Sequence, residues 1–190
     1  MYAMRQQQEH DLIERIADGD TEAFAVLVDR YAHTVHALVA RIVVTAEDAE
    51  EVTQDVFLKV FDHLPRFDGR SSPATWIYRI AFNTAVSHAR RRRRPTCPID
   101  ERRIAAITDD EAERLEEMVE RQQALDKLAA AIEALEADER ALVTLRYYDD
   151  RSVAECAAIT GLTEANVKVR LHRIRKKLYA MITSATNEYK

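Results

Sequence analysis

The sequence predicts an all-α fold of two small helical domains joined by an acidic linker. Apolar residues recur three and four positions apart over most of the chain, which is the spacing of a helix face. Only three glycines occur, and each falls where a helical pattern stops or turns: Gly19, Gly69 and Gly161. A chain of 190 residues that is 47% hydrophobic suits two small domains. We place the first domain in residues 1–95, the linker in 96–126 and the second domain in 127–190.

The net charge of −5 is distributed unevenly along the chain. Residues 1–95 carry a net charge of −1, residues 96–126 carry −6 and residues 127–190 carry +2. Because the excess of acid lies in the linker, the overall charge does not exclude a nucleic-acid partner. We find no signal peptide or bilayer-length apolar run, so we expect a cytoplasmic protein that does not insert into a membrane.

Motifs for catalysis, cofactors and metals are missing from the sequence. Cys97 and Cys156 form no CxxC pair, and His33 and His36 have no further ligand at metal-binding spacing. No glycine-rich phosphate loop, HExxH or GxSxG motif occurs. We therefore predict no metal, no cofactor and no enzymatic activity.

Two helices begin the first domain after Gly19. Asp20 is suited to cap the first, and Thr45 with Asp48 resembles a capping box for the second. The predicted core positions are Phe24, Leu27, Val28, Tyr31, Val35, Leu38 and Ile42, followed by Val52, Val56, Val60 and Phe61. The opposite face of the second helix is acidic, with Glu47, Glu50, Glu51, Gln54 and Asp55. These anions suit either the helix dipole and solubility or a binding surface.

Pro65 ends this second helix, and Pro73 is suited to the first position of a third. Its apolar face holds Trp76, Ile77, Ile80 and Ala81, whereas Arg79, Asn83 and Ser87 form a polar face. The helix ends in five consecutive arginines, Arg90 to Arg94, before Pro95. Cations complement the dipole at a helix C-terminus, but five guanidinium groups exceed what capping needs, so we predict phosphate contact.

The loop before the third helix, residues 66–72, combines an aromatic ring, an acid, a glycine, arginines and two hydroxyls beside Trp76. A base that leaves a duplex needs a stacking surface and hydrogen-bonding groups for its Watson–Crick edge. This loop supplies both, although ordinary turn chemistry explains its glycine and serines equally well.

The second domain contains the pattern of a helix-turn-helix. Ser152 and Glu155 make a capping box, Gly161 suits a left-handed turn, and Thr163 is suited to cap the next helix. The second helix has an apolar stripe of Val167, Leu171, Ile174 and Leu178. Its cations are Lys168, Arg170, Arg173, Arg175, Lys176 and Lys177. They suit DNA phosphates, while the alternative is a solvated amphipathic helix with a basic C-terminal part.

Three segments, in order, resemble conserved region two of bacterial sigma factors. They are Gly19-Asp20-Thr21-Glu22-Ala23-Phe24, the run from Ala46 to Phe61, and the run from Phe67-Asp68-Gly69 to Arg94. The segment from Leu142 to Leu178, centred on Val167-Lys168-Val169-Arg170-Leu171-His172-Arg173, is similar to region four. The ordered pair is typical of extracytoplasmic-function sigma factors of the sigma-70 family.

This resemblance implies an initiation factor that binds core RNA polymerase, directs it to promoters and helps to open the minus-ten element. It implies that Glu51, Gln54 and Asp55 face the polymerase. The residues that it implies for contact with minus-ten DNA are Phe67, Asp68, Gly69, Arg70, Ser71, Ser72, Trp76, Arg79, Asn83, His88, Arg90, Arg91, Arg92, Arg93 and Arg94. The residues that it implies for contact with minus-thirty-five DNA are Thr163, Asn166, Lys168, Arg170, Arg173, Arg175, Lys176 and Lys177. An anti-sigma factor is a further partner that the family implies.

The acidic composition of the linker indicates a regulatory role. Thr108 to Glu111 resembles a capping box, and the acidic segment is expected to run into a helix that leads region four. Full extension of about 30 residues reaches roughly 100 Å, more than two turns of DNA. We hypothesise that the acids from Asp109 to Glu120 cover basic DNA-binding faces in the free protein.

Two other functions fit parts of the sequence. A stand-alone regulator would use the helix-turn-helix for duplex DNA and the first domain for dimerisation. It predicts DNA binding without polymerase. A helical enzyme or adaptor with basic ends would need a polar pocket, and no residue spacing indicates one.

Overall fold

The computed structural model describes residues 2–92, 107–108 and 122–187, which form eight α-helices and no strand. The helices are α1 (Tyr2–Ala17), α2 (Thr21–Ile42), α3 (Ala46–His63), α4 (Pro73–Arg91), α5 (Gln122–Glu133), α6 (Ala137–Val143), α7 (Val153–Thr160) and α8 (Glu164–Asn187). A 3₁₀ turn, Leu64–Arg66, follows α3, and a π-helical turn, Thr144–Tyr148, follows α6. The all-α fold is confirmed. The predictions for Arg93, Arg94, Cys97 and the linker acids lie outside the described residues.

Helices α2, α3 and α4 form a bundle around fully buried aliphatic side chains. These include Leu27, Val35, Leu38, Val52, Val56 and Ile77. The predicted N-caps are present, because Asp20 accepts a hydrogen bond from the backbone N–H of Ala23 and Thr45 accepts one from that of Asp48, each at 3.0 Å. The bundle therefore fixes which face of α3 and of α4 points outward.

One core position of this bundle was predicted incorrectly. Phe61 is 46% exposed, whereas Phe24 and Val28 are partly buried and pack against the core. The rings of Phe61 and Phe24 meet edge to face with centroids 5.0 Å apart. Phe61 misses the core because it lies about 180° around α3 from Val52, at roughly 100° per residue. An aromatic pair thus lies at the margin of the bundle rather than within it.

Helix α1 was not predicted from the sequence. Its Leu12, Ile13 and Ile16 are buried against the bundle. The hydroxyl of Tyr31 in α2 donates a 2.8 Å hydrogen bond to Glu9, which is only 9% exposed. Three apolar side chains on a polar helix make a weak sequence signal, so tertiary packing supplies most of what holds α1 in place.

The helix-turn-helix forms as predicted. Ser152 and Glu155 cap α7 reciprocally, and α7 begins at Val153. Gly161 follows with a φ of +73°, a left-handed conformation that favours glycine. Thr163 then accepts a hydrogen bond from the backbone N–H of Asn166 at 3.2 Å. The predicted stripe of α8, Val167, Leu171, Ile174 and Leu178, is buried.

The N-terminal and C-terminal halves pack against each other. Helices α6 and α7 lie against α4, and α6 also contacts α2. Arg140 of α6 is 8% exposed and donates a 2.6 Å hydrogen bond to the carbonyl of Ile42 at the end of α2. The guanidinium of Arg151 lies 4.3 Å from the centre of the Tyr78 ring in α4. The halves therefore share one continuous core.

Within the described ranges, no helix is both long enough and apolar enough to cross a bilayer. In the same part of the chain, no group of three or more His, Cys, Asp or Glu side chains is arranged to hold a metal ion.

Candidate polymerase and nucleic-acid interfaces

The acidic face of α3 points away from the bundle. Glu51, Gln54 and Asp55 are all exposed, as are Glu47 and Glu50. The buried face of the same helix anchors it on α2 and α4, so these side chains are presented by a rigid element. The structure thus brings together the three residues predicted to face a polymerase.

An exposed leucine continues this face one turn beyond Gln54 and Asp55. Leu58 is 64% exposed, and at about 100° per residue it lies on the side of α3 opposite the buried stripe. It follows Gln54 by four positions and Asp55 by three, which places it beside both. Leu58 was not predicted as a functional residue, although its position relative to Val52, Val56 and Val60 is a sequence signal for an exposed apolar side chain.

The loop between α3 and α4 is ordered by its own side chains. The carboxylate of Asp68 accepts a 3.1 Å hydrogen bond from the backbone N–H of Arg70 and lies 3.1 Å from its guanidinium. Gly69 between them has a φ of +70°. This turn leaves the charged groups of Asp68 and Arg70 exposed.

The aromatic side of this loop is built from Phe67 and Trp76. Their ring centroids are 5.2 Å apart, with planes inclined by 55°. Ser72 caps α4 by accepting a hydrogen bond from the backbone N–H of Thr75 at 3.1 Å, and Ser71 precedes it in the same loop. All the residues predicted to hold an unstacked base are therefore gathered at the start of α4.

The polar face of α4 continues from this loop toward the helix end. Arg79, Asn83, Ser87 and Arg90 are exposed and follow one another at helical spacing. They form a strip that begins beside the aromatic pair. A single strand leaving the loop would meet a cation, two neutral hydrogen-bonding groups and a second cation along this strip.

Two residues predicted to contact minus-ten DNA also approach a buried acid. His88 Nε2 and Arg92 Nη1 lie 3.3 Å and 2.5 Å from the same oxygen of Asp48, whose side chain is 3% exposed. Burial alone would raise the pKa of Asp48. The Thr45 hydrogen bond, the Arg92 charge and the His88 contacts outweigh it and lower the pKa from its ordinary value. Asp48 therefore does not complete the predicted capping box but joins α3 to the end of α4.

The helix-turn-helix exposes part of its predicted cationic surface. Lys168, Arg170 and Arg173 are exposed, and so are Thr163 and Asn166 at the start of α8. The three later cations are only half-exposed: Arg175, Lys176 and Lys177. The N-terminal part of α8 is thus the part most open to a DNA groove.

The first turn of α6 holds acids against these cations. Asp138 Oδ2 lies 3.4 Å from Arg170 Nη1 and 3.3 Å from Arg90 Nη2. Glu139 lies 2.6 Å from Lys177 Nζ, a pair in which both side chains are less than a third exposed. These two acids were not predicted as site residues, because their cationic neighbours are distant in sequence and come close only when the helices pack.

Two family profiles match the chain in the order of its two halves. The profile described as sigma-70 region 2 matches residues 27–95, and the one described as sigma-70 region 4 matches residues 125–178. The first match includes α3, the loop and α4, and the second includes the helix-turn-helix. The matches therefore fall on the surfaces described above.

Two relatives match nearly the whole chain. The RNA polymerase sigma-H factor of Pseudomonas aeruginosa is 34% identical over 181 residues, covering 92% of this chain and 94% of the relative. The ECF RNA polymerase sigma-E factor of Escherichia coli K12 is 35% identical over 173 residues, covering 88% and 90%.

Solved structures of two further proteins have a similar fold. CnrH in complex with the cytosolic domain of CnrY is 26% identical, covers 93% of this chain and 97% of its own, and has a TM-score of 0.66. Bartonella quintana RpoE, solved with the anti-sigma factor NepR, is 19% identical, covers 84% and 96%, and has a TM-score of 0.58, which supports the fold alone. The family profiles and full-length relatives together show that the chain belongs to the extracytoplasmic-function (ECF) group of RNA polymerase sigma factors.

Proposed function

We propose that this sigma factor divides its work among three surfaces. The outer face of α3 binds core RNA polymerase, the start and polar face of α4 bind the opened minus-ten element, and the exposed part of α8 binds the minus-thirty-five element. As a member of the group, the chain directs RNA polymerase to promoters and assists their opening. We further propose that it is a specificity subunit without catalysis of its own, acting in the cytoplasm, where bacterial promoters are.

The observation that carries the polymerase assignment is the composition of the α3 face. Glu51, Gln54 and Asp55 lie along one face of α3 beside an exposed Leu58, and the opposite face of the helix is packed against the bundle. An apolar centre with a polar and charged rim is the usual arrangement of a protein interface. DNA would be repelled by the same carboxylates, so the face suits a protein partner.

The minus-ten assignment rests on the geometry at the start of α4. The Phe67 and Trp76 rings offer an apolar surface for a base, and Asp68, Arg70 and Ser71 offer acceptors and donors beside it. The strip from Arg79 to Arg90 then supports the backbone of the strand that leaves the loop.

The minus-thirty-five assignment rests on the helix-turn-helix. In such motifs the N-terminal residues of the second helix approach base edges in the major groove. Thr163 and Asn166 occupy that place here, while Lys168, Arg170 and Arg173 are positioned for phosphates.

The experiment that tests the function is binding of the purified chain to core RNA polymerase. A variant with Glu51, Gln54 and Asp55 changed to Ala is expected to bind at least about tenfold more weakly, since central interface side chains carry most of the binding energy. The matched control changes Glu22 and Asp29 of α2 to Ala. Like the first variant, it removes two negative charges, but from another exposed face. Equal binding by both variants would show that this face of α3 does not contact the polymerase. No binding by the wild-type chain to its cognate core would favour the stand-alone regulator.

We also propose an inhibitory protein partner, an anti-sigma factor. The support is that CnrH, similar over 93% of this chain, was solved with the cytosolic domain of CnrY. Such a partner is expected to compete with core polymerase for the chain in a binding assay with purified components. A partner that joins the chain and core polymerase in one complex would contradict this proposal.

A further inference from the structure

One side chain on the outer face of α8 is apolar. Val169 is 56% exposed, and it is the only large apolar side chain in the described part of α8 that is exposed. At about 100° per residue, it lies nearly opposite the stripe that holds α8 on its domain. That buried stripe consists of Val167, Leu171, Ile174 and Leu178. Val169 therefore points directly away from the domain.

Neither packing nor helix formation accounts for a valine at this position. Val169 lies outside the hydrophobic core and does not pack against its margin. Valine is also a poorer helix former than the straight-chain residues, because its branched Cβ restricts the side chain. Its neighbours on the helix surface are polar, since Asn166 lies three positions before it and Arg173 four positions after it, and both are exposed. An apolar group is thus set into a hydrogen-bonding and cationic surface.

The surface around Val169 is the part of α8 that we propose enters the major groove. There an isopropyl group has one matching partner, because the C5-methyl of thymine is the apolar group on the base edges. It cannot hydrogen-bond to phosphates, which Lys168 and Arg170 on either side are suited to bind. A cytosine at the same place would lose water from its N4 amino group without gaining a hydrogen-bond acceptor. Contact with Val169 therefore favours thymine over cytosine.

Asn166 indicates where in the element this thymine lies. Because a helix rises about 1.5 Å per residue, Val169 lies about 4.5 Å along α8 from Asn166. Successive bases of one strand are about 3.4 Å apart. The two side chains are therefore spaced for neighbouring base pairs, with the Asn166 amide suited to the edge of an adenine.

We propose that Val169 is a specificity-determining residue of this sigma factor and that it recognises the C5-methyl group of one thymine in the minus-thirty-five element. The inference rests on the proposed binding of that element by α8. It adds a named base and a named group of atoms to that proposal. Loss of the contact is expected to weaken binding about three- to fourfold, the effect of burying one methyl group.

A selection experiment identifies the thymine. Duplexes randomised over the minus-thirty-five element are selected for binding to core polymerase that carries the wild-type chain, Val169→Ser or Val26→Ser. Val26→Ser is the matched control, since Val26 is a 49% exposed valine on α2, outside the proposed DNA surfaces. Wild type and Val26→Ser are expected to select the same thymine, and Val169→Ser is expected to lose that preference while keeping the others. An identical preference in all three would overturn the proposal.

Deoxyuridine then tests the methyl group itself, because it differs from thymidine only by the absence of that group. With the wild-type chain, deoxyuridine at the selected position is expected to weaken binding about three- to fourfold, whereas Val169→Ser is expected to bind both duplexes equally. At the same position, 5-methylcytosine is expected to be bound more tightly than cytosine by the wild-type chain only. A wild-type chain that binds the thymine and deoxyuridine duplexes equally would overturn the proposal. Equal dependence on the methyl group in wild type and Val169→Ser would do so as well.

The outcomes separate this inference from the proposed function. If Lys168→Ala and Arg173→Ala leave binding of the selected duplex unchanged, the proposed role of α8 fails, and the inference fails with it. If both variants weaken that binding but deoxyuridine is bound as tightly as thymine, only the inference about Val169 fails. A loss in Val169→Ser that is the same for the thymine and deoxyuridine duplexes would show a contact without base recognition and would also overturn the inference.

Discussion

Arg92 at the end of α4 lies 2.5 Å from the carboxylate of Asp48, which is buried in the first turn of α3. Because the pKa of Asp48 is lowered below its ordinary value of 3.8, the ionised acid stabilises the folded chain. That stabilisation is fully present above the unfolded pKa and is lost as the pH falls through the folded pKa.

We therefore predict that Asp48→Asn lowers the free energy of unfolding at neutral pH but has little effect below the folded pKa. Urea unfolding of both proteins between pH 3 and pH 7, roughly the range in which Asp carboxylates titrate, measures this dependence. Glu47→Gln is the control, since Glu47 is an exposed acid in the same first turn. A difference between wild type and Asp48→Asn that stays constant over the whole range would contradict the prediction.

Leu58 is predicted to contribute to polymerase binding and not to folding. Burying a leucine side chain in an interface is worth about 1.5–3 kcal/mol, so Leu58→Ser is expected to weaken core binding by at least about tenfold. Its unfolding midpoint is expected to stay within error of wild type, because the side chain is already 64% exposed. Val26→Ser, at a 49% exposed position on α2, is expected to bind core polymerase normally. Equal losses in both variants would point to a general effect of surface polarity.

Lys168 and Arg173 are predicted to contact phosphates. Changing either to Ala is expected to weaken duplex binding for all sequences and to lower the slope of log affinity against log salt by about one unit. The measurement is a titration at several salt concentrations. Lys59→Ala, on α3 and outside both proposed DNA surfaces, is expected to keep the wild-type slope. Unchanged slopes for Lys168→Ala and Arg173→Ala would exclude both residues from the phosphate contacts.

Cys156 is predicted to be chemically inert in the folded chain. It is fully buried in α7, and burial raises the pKa of its thiol to about 11, so almost no thiolate is present at pH 8. In a Cys97→Ser background, a thiol reagent is expected to react with Cys156 only as fast as the chain opens. The same reagent should react within the mixing time in denaturant. Fast reaction of the native protein would show that α7 separates readily from its neighbours.

Local signals in the sequence predicted the helix ends well. Asp20, Ser152, Gly161 and Thr163 act through groups within four residues, and all four have their predicted roles. Periodicity likewise predicted the buried stripe of α8 and the exposed face of α3.

Interactions between distant residues were beyond these signals. The Asp48 sequence environment suggests a capping box, but its partners are 40 and 44 positions away in α4. Asp138 and Glu139 appear as ordinary acids of a helix start until α4 and α8 come within reach. Helix α1 was not predicted for a related reason, because its few apolar side chains are buried only by packing against α2.

The buried Arg140 makes a polar contact between the two halves of the chain. Its guanidinium also donates to the carbonyl of Glu133, at 2.6 Å, so that contact within the C-terminal half survives separation while the bond to Ile42 is lost. The rest of this seam is largely apolar, because both halves contribute buried side chains to one core. The directional hydrogen bond from Arg140 therefore fixes how α6 meets the end of α2, while the burial of apolar side chains holds the halves together.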